Sequence, residues 1–173
     1  ELKEIKITLN LLELNLNIKT IGPKLKIKDK VLGIENIKTK IQIRSILNKD
    51  FQIENLKIST KSVKVDDLVS FIRIIYNEPE LYIFEKIAKS GFFIADIEVN
   101  FDENGKIKND LKINGFIKDL DFKLSKKYQV NKLNFLFKYE KNNLNLKDTN
   151  FSFNDLNFSS NNLNIQNRND DFK

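Results

Sequence analysis

Along most of this chain apolar and polar residues take turns, the period of a strand with one wet face. The stretch from residue 31 to 65 carries the pattern most plainly. Ile41 and Ile43, then Ile53, Leu56 and Ile58, then Val63 and Val65 hold the apolar positions, with Lys, Gln, Glu, Ser and Thr between them. At Asp66 the period changes. Leu68, Phe71, Ile72 and Ile75 fall at helical spacing, which predicts a helix over 66–76 with Asp66 or Asp67 as its N-cap. Pro79, with Leu81, Phe84 and Ile87 or Ala88 behind it and Gly91 placed as a C-terminal cap, predicts a second short helix over 80–89. The competing reading makes residues 81–84 a strand. Two such helices side by side would cap one end or edge of a sheet.

The flanking regions keep the two-residue period. Ile5, Ile7, Leu9 and Leu11 alternate in one phase and Leu12, Leu14, Leu16 and Ile18 in the other, so a turn or bulge is expected near Leu11 and Leu12. Gly22-Pro23 breaks the run, and residues 28–30 make a charged turn. Beyond the helices, Phe93, Ala95, Ile97, Val99 and Phe101 alternate without fault, and Asn104-Gly105 signals a hairpin. Ile107, Leu111, Ile113 and Ile117 hold one phase, and Leu120, Phe122 and Leu124 the other. Leu133, Phe135, Phe137 and Tyr139 mark a further strand, a turn follows at Lys141-Asn142-Asn143, and short strands of declining quality run to Ile165. The expectation is mainly β: an antiparallel meander with one or two short helices near the middle. It is one unit over 1–173, with strands over 1–65, a helical insert over 66–90, a meander over 91–166 and a polar tail over 167–173.

Composition narrows the function classes. A chain of 173 residues can bury roughly 70% of its unfolded surface in one domain. It lacks Met, and pattern-bearing sequence runs almost to both ends, so it reads as an excerpt of a longer protein. Without Cys or His there are no disulfides, no thiolate chemistry and none of the usual zinc or haem ligands. No run approaches the ~20 apolar residues of a membrane span. The 30 Lys and Arg against 24 Asp and Glu give a net charge of +6, spread along the strands rather than clustered. With no basic stripe, aromatic platform or recognition helix, nucleic acid is not an expected partner; an anionic membrane surface fits a diffuse excess better.

No catalytic constellation appears. A hydroxyl nucleophile here has only Lys as a base, and Ser59, Ser62, Ser90, Ser125 and Ser160 fall at strand ends or turns where local backbone bonding accounts for them. Asp66-Asp67 and Asp102-Glu103 suit capping and turn formation, without the ligand alternation of a calcium loop. There is no glycine-rich phosphate loop. No enzyme, metal or cofactor is expected.

What remains is the apolar stripe. Periodicity does not separate a closed sandwich or barrel, the expectation where nothing else is known, from an open curved sheet whose concave face takes lipid chains. Residues 22–71 bear on the choice: Gly22-Pro23 with Leu25 and Ile27, a pair of short strands around residues 34–43, the link Ser45-Ile46-Leu47, the strand FQIENLKIST and then SVKVDDL leading into a helix. This cadence resembles that of the AsmA-like and TamB-like bacterial proteins, relatives of the chorein-type bridge-like lipid transfer proteins, over about residues 5–75. The resemblance implies a repeating β-groove, an open half-pipe with no catalytic residues whose apolar lumen guides phospholipids between membranes. It implies lumen positions for Ile41, Ile43, Ile53, Ile58, Val63, Val65, Phe93, Ile97, Val99, Phe101, Leu111 and Ile113. It also implies phospholipid acyl chains and envelope proteins as partners, and a periplasmic or envelope location in a Gram-negative bacterium, anchored through sequence outside the excerpt. The reading from a different class is a structural or adhesive β-sandwich or solenoid module that binds a protein partner.

Overall fold

The computed structural model describes residues 2–27, 30–47, 53–75, 79–102, 104–108, 110–125 and 127–166. Among these residues eleven strands and three short helices follow in order: β1 (Glu4–Asn10), β2 (Asn15–Ile21), β3 (Lys24–Ile27), β4 (Lys30–Gln42), α1 (Ile43–Leu47), β5 (Ile53–Thr60), β6 (Val63–Lys64), α2 (Val65–Ile75), α3 (Pro79–Ile87), β7 (Ala88–Asn100), β8 (Lys112–Lys123), β9 (Gln129–Glu140), β10 (Asn143–Phe153) and β11 (Leu156–Gln166). Every pairing is antiparallel. The spatial order is β1-β2-β4-β5-β7-β8-β9-β10-β11, with β3 on β4 and β6 on β7. The sheet does not close into a barrel. At about 4.8 Å per strand, this nine-strand path is roughly 38 Å wide.

The turns form where the sequence supplies residues that tolerate positive φ. Lys141-Asn142 and Asn154-Asp155 each place two consecutive residues there, joining β9 to β10 and β10 to β11 as two-residue hairpins. Between β1 and β2 the chain turns over residues 11–14, where the alternation changes phase; both strands thereby send their apolar residues to one side. Gly105 sits at φ +72 in the expected turn, and the Asp102 carboxylate accepts the backbone N–H groups of Asn104 (2.8 Å) and Lys106 (2.9 Å).

Three adjacent strands share a crease. Asp119 in β8, Lys132 in β9 and Asp148 in β10 all have positive φ at irregularities in the ladders. Asn134 ties two of them together: its Oδ1 accepts the Asp119 N–H (3.0 Å), and its Nδ2 donates to the Lys132 carbonyl (2.7 Å). Such bulges bend and twist a sheet. They also explain the phase change between Ile117 and Leu120.

Helix α2 crosses one end of the sheet over β4, β6 and β7, and α3 packs on α2 and β7. Val65 and Val69 of α2 join Ala88 and Leu120 in one buried cluster, flanked by Phe84, Phe93, Ile117, Phe122 and Leu133. Phe71 joins Leu32 and Ile34 in a second, flanked by Ile37, Ile58, Val63 and Leu68. Arg73 pairs with Glu85 across the two helices, Ser70 donates to the same carboxylate (2.7 Å), and the Arg73 guanidinium lies 5.0 Å from the Tyr82 ring centroid.

Four expectations change. Gly91 lies inside β7 against the Leu120 backbone and is not a helix cap; the chain leaves α3 directly into a strand at Ala88. The pair of short strands around 34–43 is one 13-residue strand, and Ser45-Ile46-Leu47 is helical rather than a link. The strands beyond residue 143 are not in decline: β10 and β11 are 11 residues each and pair with one another on both sides of Asp148, where the irregularity breaks the alternation. Of the charged turn expected over 28–30, Lys30 opens β4 and residues 28 and 29 lie outside the described residues, as do residue 76 of the helix predicted over 66–76 and the polar tail over 167–173.

Candidate functional site: the uncovered apolar face

Residues opposite one another in a ladder share a face. Following the register therefore reads one side of the sheet from edge to edge. One row runs Ile5, Thr20, Ile37, Ile58, Ile97, Ile113, Tyr139, Leu144, Ile165 and touches every strand of the main path. Beside it run Ile7, Ile18, Thr39, Leu56 and Val99 on one flank, and Ala95, Gly115, Phe137, Leu146 and Leu163 on the other. Phe93, Ile117 and Phe135 form the row nearest the helices. Phe93 and Phe137 stack at 5.8 Å, and Gly115 makes room for the Phe137 ring, which a Cβ there would strike.

Helices α2 and α3 cover only the end of this face. Where they lie it is ordinary core. Elsewhere it stays uncovered among the described residues: Leu56, Ile97, Val99, Ile113 and Tyr139 are half-buried, and at the two edges Ile7 is 64% exposed and Ile165 54%. The outer sides of β1 and β11 have no strand partner among the described residues.

The residues expected to line a lumen divide accordingly. Ile58, Ile97, Val99 and Ile113 lie in the central rows. Ile53 opposes Ile41 on the same face, but Ile41 is fully buried and offers no surface. Phe93 and Val63 are cross-strand partners packed against the helix clusters. Val65 and Ile43 are not strand residues at all: Val65 opens α2 and is buried in the helix–sheet core, and Ile43 opens α1. Phe101 bridges to Ile107 beside the Asn104-Gly105 turn, and Leu111, half-buried, precedes β8. The edge residues Ile5, Ile7, Leu9, Leu163 and Ile165, and Phe137, Tyr139, Leu144 and Leu146, complete the face without having been assigned to it. Their alternation is as regular as that of Ile97 and Val99.

The opposite side is polar over β1, β2, β4 and β5 and along the row of Glu98, Lys112 and Glu140. On that same side Ile94, Phe116 and Leu136 stand opposite one another with Phe92 beside them, a smaller apolar patch in which Phe92, Ile94 and Leu136 are exposed. Asn55 Nδ2 donates to Glu98 (3.2 Å) and Asn100 (2.5 Å), and Asn100 donates to Asp110 (2.9 Å). A hydrogen bond from Asn15 (2.6 Å) and the Lys40 ammonium (3.2 Å) hold the Glu13 carboxyl below the usual carboxylate range, and the contact with Glu13 raises Lys40. Among the described residues no three Asp or Glu side chains form a cluster that could hold a metal ion, and no helix is long and apolar enough to cross a membrane. The chain matches no known family model, no curated protein and no solved structure.

Proposed function

We propose that this chain is a non-catalytic lipid-binding segment that lays acyl chains along the uncovered apolar face of its sheet, within a longer AsmA-like envelope protein that moves phospholipids between membranes of a Gram-negative bacterium. One observation carries the reading: the apolar row runs unbroken in register from β1 to β11 apart from Thr20, while the sheet stays open and the helices cover only one end. Globular monomers seldom leave so broad an apolar surface uncovered. The row's roughly 38 Å exceeds the ~15 Å of hydrocarbon in one bilayer leaflet, so an extended acyl chain fits along it. At about 0.8 kcal/mol per buried CH2, covering about eight methylenes yields on the order of 6 kcal/mol. The family and the envelope location rest on the resemblance of residues 5–75. Of that stretch, the strand Ile53–Thr60 and the helix after it form as the cadence has them, while the paired short strands and the link do not.

Ile97→Asp and Val99→Asp, made separately, test it. A charge at these half-buried positions leaves circular dichroism and melting close to the parent's and removes phospholipid co-purifying with the chain, measured by mass spectrometry. A parent that carries no phospholipid, together with variants that unfold, sinks the reading and leaves a structural β module.

A further inference from the structure

On the polar face the register gathers lysines that are scattered in the sequence. Lys6, Lys19, Lys38 and Lys57 stand directly opposite one another on four neighbouring strands, β1, β2, β4 and β5. The same row continues through Glu98, Lys112 and Glu140, and there the signs alternate. In that half each charge has its counter-ion: Lys57 with Glu98 at 3.2 Å, and Lys112 with Glu140 at 3.3 Å. In the lysine half, Lys6 reaches Glu4 at 3.4 Å. The ammonium groups of Lys19 and Lys38 have no ion pair or hydrogen bond among the described residues. Like charges directly opposite on a sheet are unfavourable, and a merely solvated face has no need of them on two interior strands. Nor do these two guard an edge, since β2 and β4 are paired on both sides.

The four lysines border a depression of about 670 Å3 that Thr8, Asn17 and Asn55 also line, together with two carboxylates, Glu54 and Glu98, that are paired with Lys40 (3.7 Å) and Lys57 (3.2 Å). Its volume is that of a small-molecule site. We propose that this depression binds a phosphate group, with Lys19 and Lys38 as its principal cationic contacts. A phosphate can carry two negative charges and accepts several hydrogen bonds at once, so one group bridges two ammoniums on neighbouring strands where a carboxylate would neutralise one. The hydroxyl of Thr8 and the amide oxygens of Asn17 and Asn55, whose Nδ2 groups donate to Asn15, Glu98 and Asn100, suit a polar body attached to that phosphate. The site lies on the opposite side of the sheet from the apolar face and stands whether or not that face takes lipid.

Calorimetric titration of the chain at low ionic strength, with inorganic pyrophosphate and with glycerol 3-phosphate, tests it. A parallel arm measures sedimentation with phosphatidylcholine vesicles containing phosphatidic acid. The parent binds saturably, and salt weakens binding as counter-ion competition requires. Lys19→Gln with Lys38→Gln weakens binding about tenfold or more, the loss of about 1.4 kcal/mol. Its melting temperature stays level or rises, because two opposed like charges are gone. The control, Lys118→Gln with Lys132→Gln, changes binding less than about twofold. Lysine-dependent binding of the soluble phosphates identifies a soluble ligand, and lysine-dependent binding of vesicles alone identifies a lipid headgroup; both support the site. Equal affinity in the Lys19/Lys38 double variant, or no saturable binding to any of the three probes, overturns it.

Discussion

Two glycines make opposite demands on their surroundings. At Gly115 the neighbours are the constraint: a Cβ would strike the Phe137 ring and come within 2.6 Å of the Ile94 carbonyl oxygen, which is backbone and cannot swing away. Gly115→Ala is expected to cost about 1–3 kcal/mol in chemical denaturation, the range for overpacking. At Gly105 nothing lies within 4 Å of the missing Cβ, and the constraint is φ +72 alone. Gly105→Val should therefore lower stability by about 1–2 kcal/mol, the ordinary penalty of a left-handed residue, made larger by β-branching. Unchanged melting in that variant would mean that Asp102, whose carboxylate already holds two turn N–H groups, sets the hairpin by itself. The Asn-Gly pair was legible in the sequence because its signal is local. The crowding at Gly115 was not, because Phe137 arrives from a strand 22 residues further on.

Among the elements, the helices and the crease answer to different forces. Phe71 is 5% exposed between α2 and the sheet, so Phe71→Ala should cost on the order of 3 kcal/mol; a loss below about 0.5 kcal/mol would place α2 outside the cooperative core. The crease rests on polar contacts. Asn134→Ala removes the acceptor for the Asp119 N–H and the donor to the Lys132 carbonyl, and should cost about 1 kcal/mol while faster amide exchange appears at Asp119 first. The ladders also carry pH dependence. Hydrogen bonds from Lys138 (2.9 Å), then Lys112 (3.3 Å), hold Glu140 below the usual carboxylate range. Because the folded value is the lower one, this contribution is complete above the ordinary carboxylate range and is lost as pH falls through the depressed value. Melting of the parent and of Glu140→Gln should differ at neutral pH and converge in acid. Strand identity and both longer helices could be read from periodicity, since each depends on neighbours a few residues apart. The bulge at Asp148 defeated it. One residue in the left-handed region shifts the phase, so Leu146 and Phe151 read as members of two poor strands when they belong to one long one.

At the scale of the molecule, the openness of the sheet was beyond any reading of periodicity, because a barrel, a sandwich and a half-pipe all want apolar residues on every second position. The lysine row escaped for a related reason: charges about 13 to 19 residues apart look dispersed until register aligns them. Openness has a thermodynamic consequence. A ligand that occupies the apolar face in the folded state alone must raise stability, by about 2.7 kcal/mol at a free concentration a hundred times its Kd. For a chain of this length each kcal/mol moves the midpoint by roughly 2–4 °C, so a lysophospholipid added below its micellar concentration should raise Tm by about 5–10 °C. The fluorescence of an apolar-surface dye, high in the lipid-free chain because the rows from Ile5 to Ile165 are uncovered, should fall over the same titration. Ile97→Asp should abolish both responses, since the charge sits in the middle of the row, and Lys19→Gln should leave them intact, since Lys19 lies on the other side of the sheet. A Tm indifferent to lipid, with dye binding already low in the parent, would mean that the face is covered by something other than acyl chains.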